Sequence, residues 1–208
     1  MRTKSDIALP LVKRLHERLV FRRRTRVLSA ALAALVPSGT ALLDVGCGDG
    51  TIAYLIGQTT STVSIQGLEV TPRRSCLIEC GVFDGATIPL AESSVDMCLF
   101  VDVLHHTDHI EGLLREARRV ARRYVLIKDH LCENRFDHAV LSFMDWVGNR
   151  PHGVRLPYNY QSKVQWNRIL SACGLRPVNW NEGLPLYPPP FNWLFGRGLH
   201  FVALCEKS

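Results

Sequence analysis

The sequence contains no hydrophobic run long enough to cross a lipid bilayer. Its longest uncharged apolar stretch, residues 27–36, has ten residues, whereas a membrane-spanning helix needs about 20. Charged residues stand at the N-terminus before any long apolar run, so no secretory signal peptide is expected. These absences predict a cytoplasmic protein.

The seven cysteines include no Cys-x-x-Cys pair. Cys76 and Cys80 lack a second cysteine pair, and they also lack a nearby set of histidines that would complete a zinc site. We therefore expect free, reduced thiols and no metal ion.

An excess of positive charge is absent from most of the chain. The net charge is +6, but residues 1–26 alone carry +7 and the remainder sums to −1. A protein built around a nucleic-acid groove needs positive charge along a whole face. The charge distribution therefore argues against nucleic acid as the partner of the main body.

Apolar runs and amphipathic stretches alternate along the chain, which favours a doubly wound α/β fold with a mostly parallel sheet and helices on both faces. The predicted helices cover residues 7–19, a Leu/Ala-rich stretch that ends at Pro37, a stretch that begins at Thr51, and residues 71–80, 110–121, 136–147 and 162–173. The predicted strands are ALLDVG, STVSIQGLEV, GVFDG, VDMCLFVDV, RYVLIKDH, residues 175–180 and residues 199–205.

A glycine-rich stretch separates the first strand from the helix that follows it. Gly46, Gly48 and Gly50 follow Asp44 there as G-x-G-x-G. Glycine lets a ligand lie directly on the backbone at the carboxyl end of a strand, where open α/β sheets bind ligands. No Gly-Lys-Ser/Thr follows these glycines, so a triphosphate-binding P-loop is not expected.

Four segments resemble the successive motifs of class I S-adenosylmethionine-dependent methyltransferases, in particular the type 11 small-molecule group. They are LLDVGCGDG, GLEV, VFDGATIPLAESSVDMCLFVDVLHH and LLREARRVARRYVLIKD, in that order. The resemblance implies S-adenosylmethionine as the cofactor and a seven-stranded Rossmann-like sheet whose last strand is antiparallel. It also implies an N-terminal helical extension, residues 1–36, and a methyltransferase domain, residues 37–208, with a substrate-covering insert at about 131–160.

The same resemblance assigns the cofactor-binding residues. Asp44, Gly46 and Gly48 match the methionine and backbone-approach part of the site, together with Val101 and Asp102 at the end of the fourth strand. Glu69 matches the acid that binds the ribose, Val70 its apolar neighbour against adenine, and Asp84 and Gly85 the adenine-edge pair. One departure is the short segment between the second and third strands, which we expect to open the adenine end to solvent.

Candidate catalytic bases follow the fourth and fifth strands. His106 and, after the next strand, Asp129 and His130 stand where strand ends face the site. Histidine is the usual base near neutral pH. A structural role for these side chains, in capping a helix or fixing a loop, stays open.

The chain after residue 131 is rich in aromatic residues, which predicts a small, apolar or lipid-like acceptor. Two alternatives stay open. One is a protein or nucleic-acid methyltransferase that docks through the basic arm, and the other is a protein that binds S-adenosylmethionine without methylating. The PPPF sequence is not the Asn/Asp-Pro-Pro-aromatic motif of adenine-amino methyltransferases, because that motif belongs after the fourth strand.

The basic arm, residues 13–26, has two interpretations. Its helix could pack on the core or close over the cofactor. Alternatively, its arginines could hold the protein peripherally against an anionic membrane on the inner face, where a lipid-like acceptor would be found. The arginines concerned are Arg22, Arg23, Arg24 and Arg26.

Overall fold

The computed structural model of the protein describes residues 21–60, 64–73, 75–149, 156–189 and 191–208. The helix predicted at residues 7–19 lies outside them. Seven strands form one sheet: β1 (Ala41–Val45), β2 (Ser64–Glu69), β3 (Glu79–Val82), β4 (Val95–Val101), β5 (Ala121–His130), β6 (Leu175–Asn181) and β7 (His200–Lys207).

The sheet has the strand order β3-β2-β1-β4-β5-β7-β6. The pairs among the first five strands are parallel, and β7 runs antiparallel to both of its neighbours. The predicted mostly parallel sheet with an antiparallel last strand is therefore confirmed. Because the chain order reverses direction between β1 and β4, the carboxyl ends of these two strands form the crevice where such sheets bind ligands.

Helices cover both faces of the sheet. They are α1 (Arg22–Ala33), α2 (Thr51–Thr59), α3 (Ile110–Val120), α4 (Arg135–Asn149), α5 (Lys163–Ala172) and the short α6 (Phe191–Phe195), with a 3-10 turn at Leu104–His106. Ser162 begins α5 as a capping box, since its hydroxyl accepts from the Gln165 amide while the Gln165 side chain accepts from the Ser162 amide. The predicted helices at 136–147 and 162–173 are thus present with slightly shifted ends.

Alternate residues of the central strands enter two separate cores, as the two-residue period of a strand requires. In β4, Cys98 and Phe100 face the core that includes α3 and α5. Met97 and Leu99 face the core that includes α1 and α2. All four side chains are fully buried, so β4 is the two-sided buried strand that its continuous apolar sequence predicts.

Helix α1 is the described part of the N-terminal extension, and it packs on the sheet. Leu28 and Leu32, one turn apart, are fully buried against Leu42 of β1 and Ile56 of α2. Burying a leucine side chain stabilises a fold by about 1.5–3 kcal/mol. The extension therefore contributes to the same core as the sheet.

The short helix predicted at residues 71–80 is wrong. Described residues of this segment form bends, and β3 already begins at Glu79. The Leu77 amide donates to the Asp49 carbonyl at 2.9 Å, which ties the segment across the loop that follows β1. The connection between β2 and β3 is short, and this long-range hydrogen bond fixes its path. Both effects outweigh the local preference for a helix that Thr71 and Pro72 indicate.

No helix in the described part of the chain combines the length and the apolar character that crossing a membrane requires.

Candidate functional site

The glycine loop, residues 46–50, connects β1 to α2. Gly46, Gly48 and Gly50 have φ angles of +77°, +61° and +72°, in the left-handed region that glycine enters without strain. A Cβ on Gly46 would lie 2.6 Å from a methyl carbon of Val103. The loop therefore requires glycine at position 46 both for its backbone conformation and for its contact with the end of β4.

Glu69, the last residue of β2, lies directly beside this loop. Its Oε2 accepts a hydrogen bond from the Gly48 amide at 2.8 Å, and its Oε1 accepts from the Val70 amide at 2.9 Å. Because a carboxylate has about four acceptor positions, two stay available to other donors. Two backbone amides thus orient this carboxylate before any hydroxyl group approaches it.

Asp44 lies at the carboxyl end of β1 and is almost completely buried. Its Oδ1 has no hydrogen-bond partner among the residues that the structure describes. Burial, together with the negative charge of Glu69, raises the pKa of Asp44 to about 7. Because a nearby positive charge would offset both effects, this position favours a cationic ligand group.

The predicted adenine-edge residues form a small group of their own. The Asp84 Oδ1 accepts from the amides of Thr87 at 2.6 Å and Ala86 at 2.8 Å. These backbone hydrogen bonds lower the pKa of Asp84, so its carboxylate stays an acceptor. A Cβ on Gly85 would lie 3.2 Å from a methyl carbon of Val70, which places these two residues side by side.

Asp102 follows Val101 at the end of β4 with a φ of +56°, which is uncommon for a residue other than glycine and frequent at functional sites. Its carboxylate forms ion pairs with Arg24 of α1 and with Lys128 of β5. Burial alone would raise the pKa of Asp102, but the charges of Lys128 and Arg24 outweigh it and hold the pKa well below its ordinary value.

The interpretation of the basic arm as four arginines that face a membrane is therefore corrected for Arg24. Its guanidinium is partly buried and is paired with the carboxylate at the end of β4. Arg23 donates to the Pro185 carbonyl at 3.3 Å. Only Arg22 and Arg26 of the four are exposed, so only these two can present their whole charge to a partner.

A buried histidine–carboxylate cluster, defined as His105, Asp129, His130, Asp145 and Tyr160, fills the space beyond β4 and β5. The His105 Nδ1 lies 2.6 Å from Asp129 Oδ1, and its Nε2 lies 3.3 Å from Asp145 Oδ2. The Tyr160 hydroxyl donates to Asp145. His130 Nδ1 lies 3.3 Å from the same Asp129 oxygen. Two predicted catalytic residues are thus brought together with three others.

His105 and Asp129 form a charged pair inside this cluster. Burial alone would lower the pKa of His105, but Asp129 and Asp145 outweigh it and raise the pKa to about 10. Burial also opposes ionisation of Asp129, yet the His105 charge brings its pKa well below the ordinary value. The amides of Leu104 and His130 donate to Asp129 at 3.0 and 2.7 Å. In this arrangement Asp129 orients His105 and has little capacity left to accept a proton.

His106 differs from its neighbour His105, although the two ring centroids are 4.0 Å apart. It is half-buried, and its Nδ1 is buried without a hydrogen-bond partner in the described parts of the chain. Burial, followed by the positive charge of His105, lowers the pKa of His106 to about 4. Its imidazole is therefore neutral at pH 7 and keeps a nitrogen that can accept a proton.

His130 is more deeply placed than His106. Its side chain is about 5 % exposed, and the Trp166 indole donates to its carbonyl at 3.0 Å. Burial, together with the charge of Lys128, lowers the pKa of His130. This imidazole is neutral as well, but it faces the interior of the cluster.

Among the residues that the structure describes, three groups of side chains have ligand atoms within 4.8 Å of one another, as a metal site requires. They are Cys47, Cys76 and Cys80; His105, Asp129 and His130; and His105, His106 and Asp145. The two histidine groups share His105, whose Nδ1 lies 2.6 Å from Asp129 and whose Nε2 lies 3.3 Å from Asp145, so ion pairing with these carboxylates accounts for them. In the thiol group, weak hydrogen bonds join Cys47 Sγ to Cys80 Sγ at 3.5 Å and Cys80 Sγ to the Gly81 carbonyl at 3.6 Å. The sequence analysis did not anticipate the approach of Cys47.

This sheet order, with a glycine loop after β1 and an acid at the end of β2, is the Rossmann-like fold of class I S-adenosylmethionine-dependent methyltransferases. A family model described as a methyltransferase domain, of type 11, matches residues 43–126. Residues 43–126 are therefore similar to a type 11 methyltransferase domain, and the resemblance noted in the sequence is confirmed over this segment.

Curated relatives and solved structures agree with this assignment. Uncharacterized methyltransferases of two Mycobacterium leprae strains are 27% identical over 181 residues. The alignment covers 80% of this chain and 62% of the relatives, so the chain spans less than two thirds of their length.

The fold recurs in structures of low sequence identity. A chain of the Haloferax volcanii complex that contains the Trm112 methyltransferase activator superposes with a TM-score of 0.68 at 13% identity, and 100% of this chain and 99% of that chain are covered. The cyclase SpnF superposes with a TM-score of 0.62 at 15% identity, covering 87% of this chain and 80% of its own. These likenesses show a shared fold.

Sequence reasoning missed four residues of the site: Arg24, Lys128, Asp145 and Tyr160. Arg24 and Lys128 converge on Asp102 from elements far apart in sequence. One local signal was available for Lys128, because a lysine inside the apolar strand VLIKD requires a buried counter-charge.

Proposed function

We propose that the chain transfers a methyl group from S-adenosylmethionine to a small, apolar or lipid-like acceptor. The observation that carries the methyl-transfer part is the family match over residues 43–126. It coincides with the glycine loop and with Glu69, which is held by two amides. Because the chain spans only part of its curated relatives, the activity of the whole protein rests on this proposal.

The residues at the carboxyl ends of β1 and β2 fit the cofactor. S-adenosylmethionine carries a positive sulfonium and an ammonium, and the unpartnered Oδ1 of Asp44 lies in a region of negative potential with Glu69. Asp44, Gly46 and Gly48 would hold its methionine part, and Glu69 its ribose. Val70, Asp84 and Gly85 would contact its adenine, while Val101 and Asp102 would line the methionine end.

When bound, the cofactor supplies an electrophilic methyl group, so the protein needs to provide mainly position and electrostatic support. His106 is the candidate that can accept a proton from the acceptor, because it is neutral at pH 7 and only half-buried in the turn that follows β4. Asp129 and His130 fix the orientation of His105 beside it.

The acceptor class is inferred from helix α4. Asp145 on this helix contacts His105, whereas Phe136, Phe143 and Val147 on its outer side are each exposed by 42–56 %. These three residues recur at intervals of seven and four, so they share one helix face. An exposed aromatic face on the helix that also reaches the histidine–carboxylate cluster supports an apolar acceptor.

The activity test uses S-adenosylmethionine with a labelled methyl group and fractionated lipid and metabolite extracts. We expect label in the apolar fraction with the wild-type chain and none with Glu69→Ala. Glu79→Ala is the matched control, because Glu79 is an exposed acid of β3. Label that enters only the polar metabolite fraction would contradict the acceptor class.

A second candidate is a protein that binds the cofactor and does other chemistry. The likeness in fold to the cyclase SpnF favours this alternative, because the same fold occurs in a protein named for another reaction. Tight cofactor binding without transfer to any fraction would support it.

We further propose that the exposed side of α1 contacts an anionic membrane surface. A groove of about 450 Å³ between α1 and α2 is lined by Phe21, Arg22 and Arg26, among others. Phe21 is about half exposed, and both arginines are exposed. An apolar ring next to two cations suits the boundary between lipid headgroups and acyl chains.

A further inference from the structure

Three cysteines form a compact group, here called the thiol cluster: Cys47, Cys76 and Cys80. Their sulfur atoms lie within 4.8 Å of one another, and the Sγ atoms of Cys47 and Cys80 are 3.5 Å apart. The residues come from the glycine loop, from the turn before β3 and from β3 itself. All three are half-buried free thiols, so a small ion can reach them from solvent.

Two glycines leave the space that the thiol cluster occupies. A Cβ on Gly67 would lie 2.6 Å from Cys47 Sγ, and a Cβ on Gly50 would lie 3.0 Å from Cys76 Sγ. A larger residue at position 67 would therefore displace Cys47. The lack of a side chain at these two glycines therefore allows the three sulfur atoms to lie close together.

We propose that the thiol cluster binds a soft divalent metal ion of the zinc type, with its three sulfurs as ligands and water as the fourth. A zinc–sulfur bond is about 2.3 Å, so sulfurs at the corners of a tetrahedron lie about 3.8 Å apart. The Cys47–Cys80 sulfur separation of 3.5 Å is close to this value, and the third sulfur lies within 4.8 Å of both, so small side-chain rotations could complete the site.

The softness of the sulfur ligands favours this class of ion. Thiolates select zinc-type or monovalent copper ions over hard cations. Each thiol loses its proton to solvent as a metal–sulfur bond forms, so binding releases up to three protons.

Metal binding would connect the glycine loop to the edge of the sheet. At present the Leu77 amide and the Asp49 carbonyl make one backbone hydrogen bond between these segments, at 2.9 Å. Strand β3 has four residues, lies at the edge of the sheet and pairs with β2. A bound ion would therefore hold the most weakly attached strand of the sheet against the cofactor loop.

The experiment measures metal content and cobalt binding in the chain purified under reducing conditions. We expect one zinc-type ion per chain and, after chelation, a cobalt titration with sulfur-to-metal charge-transfer absorption that saturates at one equivalent. Cys47→Ser, Cys76→Ser and Cys80→Ser should each weaken cobalt binding by more than about tenfold. Cys132→Ser is the control, because Cys132 is another half-buried free thiol outside the cluster.

Thermal unfolding gives a second readout that does not depend on methyl transfer. Zinc should raise the melting temperature of the wild type and of Cys132→Ser and leave that of Cys80→Ser unchanged. A wild-type chain that takes up no stoichiometric cobalt after reduction would overturn the proposal. So would cluster variants that bind cobalt as tightly as the wild type.

Discussion

Arg24 of helix α1 and Asp102 at the end of β4 form an ion pair across 78 positions of sequence. Lys128, which is fully buried in β5, shares the same carboxylate. One carboxylate thus pairs with two cations from two elements, and it joins the N-terminal extension to the centre of the sheet.

The first prediction concerns this shared carboxylate. Asp102→Asn leaves Lys128 buried without a full counter-charge, and breaking such a pair costs on the order of 3–5 kcal/mol. We expect a loss of this size in the free energy of unfolding, measured in urea. Glu111→Gln, which removes an exposed pair with Arg115, should cost no more than about 1 kcal/mol. Equal losses in both variants would contradict the role of Asp102.

Local patterns account for most of what the sequence predicted correctly. Strand–loop–helix alternation and the glycines after Asp44 are short-range signals, and they placed β1, the glycine loop and α2. Glu69 and Asp84 were predicted as strand-end acids for the same reason, since the ends of parallel strands meet at one edge. Their roles towards the cofactor stay predictions that binding measurements must decide.

The features that sequence reasoning missed depend on contacts between distant segments. Nothing near Arg24 indicates that its partner is Asp102, and nothing near Cys47 indicates that it meets Cys76. The predicted helix at 71–80 failed because the Leu77–Asp49 hydrogen bond favours a bend there. Tertiary contacts override local propensity in such short connections.

The second prediction concerns cofactor affinity. Glu69→Gln keeps an acceptor for the Gly48 amide but removes the charge that would receive the ribose hydroxyls. Hydrogen bonds to a charged group contribute on the order of 1.5–3 kcal/mol, so calorimetry should show S-adenosylmethionine binding about tenfold weaker or more. Glu79→Gln should bind like the wild type. Unchanged affinity in Glu69→Gln, or a wild type that does not bind, would refute the assignment.

The third prediction concerns His106 as the proton acceptor. His106→Ala should lower turnover by about 10²–10⁴ while cofactor affinity stays the same. Because the pKa of His106 is lowered to about 4, the acidic limb of the wild-type rate profile should lie well below pH 6. His109→Ala, at an exposed position of the same loop, serves as the control. A rate within a few-fold of the wild type would leave His106 with a structural role.

The fourth prediction is the pH dependence of stability contributed by His105. Its pKa rises from an ordinary value near 6.5 to about 10 in the folded protein, so the folded state retains a proton that the unfolded chain releases. This contribution is complete below about pH 6.5 and is lost as the pH rises towards 10. The gap in unfolding free energy between the wild type and His105→Gln should therefore shrink over that range. A gap that is constant with pH would show that His105 is not charged.

The last prediction concerns the membrane proposal for α1. Each basic residue near an anionic surface contributes about 1 kcal/mol, so replacing the exposed Arg22 and Arg26 with glutamine should weaken vesicle binding more than about tenfold. A double glutamine variant of Arg122 and Arg123, both exposed at the start of β5, provides a control with the same change in net charge. Binding of the wild type should fall steeply as salt rises and the Debye length falls below about 8 Å. If both double variants sediment with anionic vesicles as the wild type does at low salt, α1 serves only to pack on the sheet and to supply Arg24 to Asp102.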